Sequence, residues 1–215
     1  MKEKIKEIKR EIGNNITLVA VSKTRCNEEI LKAYNLGIKD FGENYVKELI
    51  TKMDSLPKDI KWHMIGHLQT NKVKELIKRN IYLIESVDSI KLAKEINKEA
   101  IKNNKIINIL IEVNIANDPN KTRIKKEELE TIIKEIKNLS NINLKGLMAI
   151  APNTNNTKII KKSFKEMKEL KNKYNLQLLS MGMSNDYKIA LEEGTNIIRI
   201  GTKIFGERKY KNNML

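Results

Sequence analysis

A single cysteine, Cys26, stands among the 215 residues, so no disulfide can close within the chain. That usage fits a reducing compartment, and the cytoplasm is the expected location. With 3 prolines and 9 glycines there is no Pro- or Gly-rich linker, so the chain reads as one domain, residues 1–215. No apolar run approaches the roughly 20 residues that a membrane span needs, which removes a membrane partner. The opening MKEKIKEIKREI mixes acids with bases and lacks an apolar stretch, so it does not read as a secretory signal. Also missing are a P-loop, a dinucleotide-type glycine fingerprint and zinc-ligand spacing. His63 and His67 lie four apart, but no Cys or carboxylate pattern joins them, so no metal is expected.

What the chain has in excess is positive charge: 42 Lys+Arg against 27 Asp+Glu leave +15. Such a surplus suggests nucleic acid. Here the lysines are spread over the whole length and interleaved with glutamates, as in Lys4–Glu7 and Glu7–Arg10 at i,i+3. That is a solvated basic surface, and no nucleic-acid partner is expected. The apolar residues (40%) suffice for a full core in a soluble globular domain.

The stretch Ile16–Lys23, ITLVAVSK, reads as a short buried strand that ends on a lysine. Alternation puts Val19, Val21 and Lys23 on one face. A partly desolvated amine there is a candidate for imine chemistry. Before it, Ile5, Ile8 and Ile12 form a helical stripe that ends at Gly13, a C-cap. After it come a helix over Cys26–Asn35, a strand at Asp40–Asn44, another at Lys61–Gly66 and a helix from Asn71 to Arg79. The spacing then predicts a strand at Ile81–Val87, with Asp88 as N-cap of a helix over Ser89–Lys102. The second half repeats the rhythm: strands at Ile106–Asn114, Leu144–Ile150, Leu176–Met183 and Asn196–Gly201. Between them lie an Asn117–Thr122 loop and helices marked by Leu129–Leu139, Ile160–Leu170 and Asn185–Glu193. Eight β-then-α units with apolar strands imply an α/β protein, a parallel sheet closed into a TIM (β/α)8 barrel. A doubly wound open sheet is the alternative.

In such a barrel the chemistry sits where the strands end, with phosphate held after strands seven and eight. After strand seven comes Ser180-Met181-Gly182-Met183-Ser184, with Ser184 expected at a helix N-cap, a ready anion site. After strand eight comes Arg199-Ile200-Gly201-Thr202, which offers a backbone N–H and a hydroxyl. Arg199 lies in a buried strand, where an arginine needs an acceptor or an anion. An amine, a phosphate cradle and a buried cation around one mouth suggest an aldehyde-bearing phosphate ligand.

Ordered motifs extend this picture: AVSKTR (Ala20–Arg25), FGENYVKE (Phe41–Glu48), WHMIGHLQTNK (Trp62–Lys72), SVDS (Ser86–Ser89), GLMAIAP (Gly146–Pro152), LSMGMSND (Leu179–Asp186) and IRIGTKIFGER (Ile198–Arg208). With them the chain resembles the pyridoxal phosphate homeostasis protein family over nearly its whole length. The resemblance implies a fold-type-III barrel like the N-terminal domain of alanine racemase. It implies pyridoxal 5′-phosphate (PLP) held as a Schiff base on Lys23. Its phosphate would lie at Ser184, Gly201 and Thr202, with Arg199 facing the pyridine nitrogen. Asn44, Met181 and Met183 would line the pocket. One departure is Lys121-Thr122-Arg123, where the family often has Lys-x-Gly.

An arginine cannot be deprotonated in proteins, so it donates to a neutral ring nitrogen and leaves the ring a weak electron sink. The related two-domain racemases add a second base from another domain and subunit, which this chain is expected to lack. The resemblance therefore implies a non-catalytic PLP carrier that maintains vitamin B6 homeostasis, with a racemase-like enzyme as the alternative. PLP-dependent apo-enzymes are possible recipients, and a monomer is expected.

Overall fold

The computed structural model describes residues 1–116 and 123–207. The Asn117–Thr122 loop lies outside the described residues, as do Lys121 and Thr122 of the departing tripeptide. The first helix, α1 (Lys2–Ile12), buries Ile5, Ile8 and Ile12, a stripe of helical spacing. It stops at Gly13, whose φ of 65° suits glycine and whose N–H returns to Lys9 O at 3.1 Å.

Strands and helices then alternate: β1 (Thr17–Val21), α2 (Asn27–Asn35), β2 (Asp40–Glu43), α3 (Val46–Ser55), β3 (Lys61–Met64), α4 (Thr70–Ile77), β4 (Leu83–Val87) and α5 (Ile90–Lys102). The second half runs β5 (Ile107–Glu112), α6 (Leu129–Lys137), β6 (Ile142–Met148), α7 (Thr157–Lys173), β7 (Leu178–Ser180), α8 (Tyr187–Glu192), β8 (Ile197–Ile200) and α9 (Thr202–Phe205). All pairings are parallel, and β8 returns to β1 with Val19 opposite Arg199. That pairing closes the ring and excludes the open sheet. Closure leaves no bare strand edge, which an open sheet would have to cover.

The two strand faces serve different cores. Outward residues such as Ala20, Phe41, Met64, Ile109, Leu147 and Ile198 meet the buried faces of the helices. A small interior cluster holds Val19, Leu83, Leu110, Met148 and Ile197. Two register shifts set which residues fall inside. In β4, Ile84 and Val87 take partners only two apart in β5, so Glu85 joins Leu83 inside while Val87 stays outside. In β6, Leu144 pairs with Ile109 but Gly146 with Leu110, so Leu144 packs with the outer core and Met148 turns in. Gly146 is required there, since a Cβ would come within 1.8 Å of Leu178 O.

Some boundaries differ from the sequence reading. Ser89, not Asp88, caps α5: its side chain accepts from the Leu92 N–H at 3.2 Å, while Asp88 pairs with His67 Nδ1 at 2.8 Å. Most strands are shorter than the apolar runs, trimmed at one or both ends, whereas β6 keeps the expected length but starts two residues earlier. Thus Leu176–Met183 contributes only Leu178–Ser180.

Candidate functional site

The strand ends of β7, β8 and β1 are neighbours, and they carry the residues singled out in the sequence. Strand β1 stops at Val21, short of the expected lysine. The chain turns at once, with the Arg25 N–H returning to Ser22 O at 3.0 Å. Lys23 therefore sits half-buried in a turn at the barrel mouth, two residues beyond the strand. Beside it, just past the end of β8, Gly201 lies so close to Val21 that a Cβ would come within 3.3 Å of Val21 Cβ. Thr202 is the exposed first residue of α9, and Gly201 O accepts from the Ile204 and Phe205 N–H groups at 3.0 and 2.9 Å.

Ser184 is not an N-cap. Helix α8 begins at Tyr187 behind Asp186, and half-buried Ser184 lies at the top of the preceding loop. That loop is tied down from below. Asp186 Oδ1 accepts from the Met183 N–H at 2.6 Å, and Met183 O accepts from the Asp186 and Tyr187 N–H groups at 3.1 and 2.9 Å. Burial raises the Asp186 pKa, with the Met183 N–H and Arg199 opposing. Gly182 has a φ of 94°, and a Cβ there would meet Ala190 Cβ at 2.6 Å.

Of the lining residues, Met183 is exposed and Asn44 half-buried just past β2. Met181 corrects the expectation. It is fully buried in the outer core between strands and helices, and its N–H is bound to Ile197 O at 3.1 Å. Alternation explains this: Ser180 points into the barrel, so Met181 must point away.

Beneath the mouth the barrel interior is charged, which the apolar strand pattern did not suggest. Arg199, 4% exposed, donates from Nη2 to Ala149 O at 2.9 Å and from Nη1 to Ser180 Oγ. Ser180 Oγ in turn donates to Glu85 Oε2 at 2.5 Å. The other oxygen of Glu85 meets His63 Nδ1 at 2.7 Å, and His63 Nε2 meets Asp40 Oδ1 at 3.1 Å. The run thus passes from the bottom of β2 to the mouth.

Electrostatics favour the charged forms of His63 and Glu85. Burial favours a neutral His63 ring, but the hydrogen bonds and charges of Asp40 and Glu85 outweigh it and raise its pKa. Burial resists ionisation of Glu85, yet His63 and Arg199 outweigh it and lower its pKa. Burial lowers the Arg199 pKa, with Glu85 and Glu112 opposing. Even so, an arginine keeps its proton in a protein. At the end of β5, Glu112 accepts from Arg123 Nε at 2.5 Å, and both side chains are about nine-tenths buried. The arginine of the departing tripeptide is thus a buried partner of Glu112. His63 and His67 serve separate carboxylates, and among the described residues no group of three or more His, Cys, Asp or Glu could hold a metal ion.

Sequence reasoning missed Glu85 and Glu112, and it weighed His63 only as a metal ligand. Their signal was a charged or polar residue inside an otherwise apolar strand, as Glu85 in IYLIESV.

A closed (β/α)8 ring with these residues at its mouth is the fold-type-III barrel architecture. The family described as alanine racemase, N-terminal domain, matches residues 1–209. The chain belongs to the pyridoxal phosphate homeostasis protein family. It is 43% identical over 204 residues to the pyridoxal phosphate homeostasis protein of Aquifex aeolicus, covering 92% of this chain and 89% of that one. PipY of Synechococcus elongatus PCC7942, solved without PLP, superposes with a TM-score of 0.89 at 32% identity, over 95% of this chain and 99% of that chain. PipY with PLP bound gives 0.88 at 29% identity and the same coverage. Alanine racemase of Clostridium difficile 630 shares the fold, with a TM-score of 0.78 at 16% identity over 98% of this chain and 56% of that chain.

Proposed function

We propose that this protein binds PLP at the barrel mouth, attached through the Lys23 amine, and serves vitamin B6 homeostasis without efficient catalysis. One observation carries the reading: three neighbouring strand ends bring together an amine, a buried cation and a glycine–threonine turn. This donor set fits a phosphorylated aldehyde. Lys23 supplies the amine for the carbonyl, Ser184 and Thr202 supply hydroxyls for the phosphate, and Gly201 keeps the backbone open beside Val21.

When bound, PLP supplies a carbonyl that condenses with amines and a ring that withdraws electrons once its nitrogen is protonated. We assign Arg199 to that nitrogen, and its own partners bear on the outcome. Ser180 and Ala149 O hold the guanidinium, and Glu85 lies 3.8 Å from Nη1. A guanidinium donates and does not protonate, so the ring keeps little of its electron-withdrawing power. The site is built to hold PLP and to give it up. PLP-dependent apo-enzymes are the recipients, in the cytoplasm, from a monomer that is one domain over residues 1–215. No helix among the described residues is long and apolar enough to cross a membrane.

The purified protein should be yellow with PLP, and borohydride should fix the added mass on Lys23. Lys23→Ala should lose that mass; an adduct retained at the mouth of the variant would overturn the assignment. The loaded protein should also leave L-alanine unracemised, and turnover of ~1–10³ s⁻¹, the ordinary enzyme range, would show a racemase instead.

A further inference from the structure

Lys23 is the second residue of the turn Ser22–Arg25, and Thr24, the third, has a φ of 65°. That position of a turn ordinarily takes glycine when φ is positive. A β-branched residue keeps such a conformation only where its surroundings hold it.

The hold comes from the outer layer, behind the strand. Ser22 and Glu43 both point away from the barrel, toward α3, and Lys52 of α3 lies between them, 5% exposed. Lys52 Nζ donates to Ser22 O at 2.8 Å, to Glu43 Oε1 at 2.7 Å and to Glu48 Oε1 at 2.7 Å. An ammonium has three protons, and all are used. Ser22 Oγ adds a bond to Glu43 Oε1 at 2.6 Å, and the Thr24 N–H donates to Glu48 Oε1 at 2.6 Å. The peptide before Lys23 is thus held through its carbonyl by Lys52. The peptide after Lys23 is held through its N–H by Glu48. Glu43 is fully buried, and its second oxygen, Oε2, has no hydrogen-bond partner among the described residues. A buried carboxylate with an unmet oxygen is costly to a fold.

We infer that Lys52, Glu43 and Glu48 are positioning residues for the Lys23 amine: they clamp both peptides that flank it and fix the turn from which it reaches the mouth. The inference rests on the reading of Lys23 as the residue that carries PLP. None of the three touches the ligand. Their effect is on geometry, to which attack on a bound carbonyl is sensitive.

The test separates attachment from binding. Pyridoxine 5′-phosphate carries an alcohol where PLP carries the aldehyde, so it fills the mouth without reacting with Lys23. In Glu48→Ala the PLP dissociation constant should rise about tenfold or more, with a matching loss of borohydride-fixed Lys23. Pyridoxine 5′-phosphate affinity should stay unchanged. Glu48→Gln, whose amide oxygen still accepts from the Thr24 N–H, should restore attachment to within about threefold of the original protein. Glu48→Asp keeps the charge but withdraws the oxygen, and it carries the same prediction as the alanine variant should that variant not fold. Equal weakening of both ligands, or no weakening of either, would overturn the inference. A loss in Glu48→Gln equal to that in the alanine variant would do the same. If the original protein itself gave no fixed Lys23, the reading of Lys23 would fall first, a separate result.

Discussion

His63 carries the sharpest consequence of a single residue. Its ring bridges Asp40 and Glu85 inside the barrel, and removing it leaves buried Glu85 without its directly hydrogen-bonded charged partner, with Arg199 3.8 Å away. His63 has a raised pKa, so its contribution to stability is complete below the ordinary imidazole value of about 6.5 and fades as pH climbs through the raised one. Glu85 has a lowered pKa, so its contribution is complete above the ordinary carboxylate value of about 4.3 and fades as pH falls through the lowered one. The buried run is fully engaged between those limits. His63→Gln should cost about 3–5 kcal/mol between those limits. It should also flatten the alkaline decline of the urea midpoint expected of the original protein. Parallel declines in both proteins would assign that limb to another group. At this scale the sequence was partly legible. The sequence drew attention to Lys23, Arg199, Gly201 and Thr202 by their places in motifs, and the structure brings the ends of their strands side by side. The pairing of Glu85 with His63 did not show, because a charge in a strand declares nothing about its partners.

At the scale of elements, order and type were readable because β and α periods alternate cleanly along the chain. What was not readable lies in the ladder. The shifts in β4 and β6 decide that Glu85 and Met148 face inward, and an apolar run carries no mark of a slip in register. Ser184 and Met181 were misplaced for a related reason. The turn before α8 is held by Asp186, so the helix starts later than the serine suggests. The β7–α8 loop supplies a prediction of its own. Gly13 and Gly182 both have positive φ, but only at Gly182 would a new Cβ strike a neighbour. Gly13→Ala should cost about 1–2 kcal/mol from backbone strain, with phosphate binding intact. Gly182→Ala should cost more, because α8 must also move, and should weaken pyridoxine 5′-phosphate. Melting curves and titrations of the two variants check the contrast; equal losses of affinity would mean that the loop does not form the cradle.

Over the whole molecule, the charge of +15 lies on a protein whose proposed ligand carries a phosphate. A diffuse positive field raises the encounter rate of an anion and is screened by salt, with a Debye length of about 10 Å at 0.1 M and 3 Å at 1 M. Stopped-flow mixing should show PLP association slowing about tenfold across that range while dissociation stays constant. Association that ignores salt would leave the charge without a part in loading.

The ring also imposes an order of events. Val19 lies against Arg199, so an early strand finds its last neighbour only when residues near position 200 have been made. On the ribosome, the nascent chain displays Lys23 long before the Gly201–Thr202 turn exists. If the proposed site is right, capture of the vitamer reports that translation has run through the final strand, and fragments released early carry Lys23 with nothing to seat the phosphate.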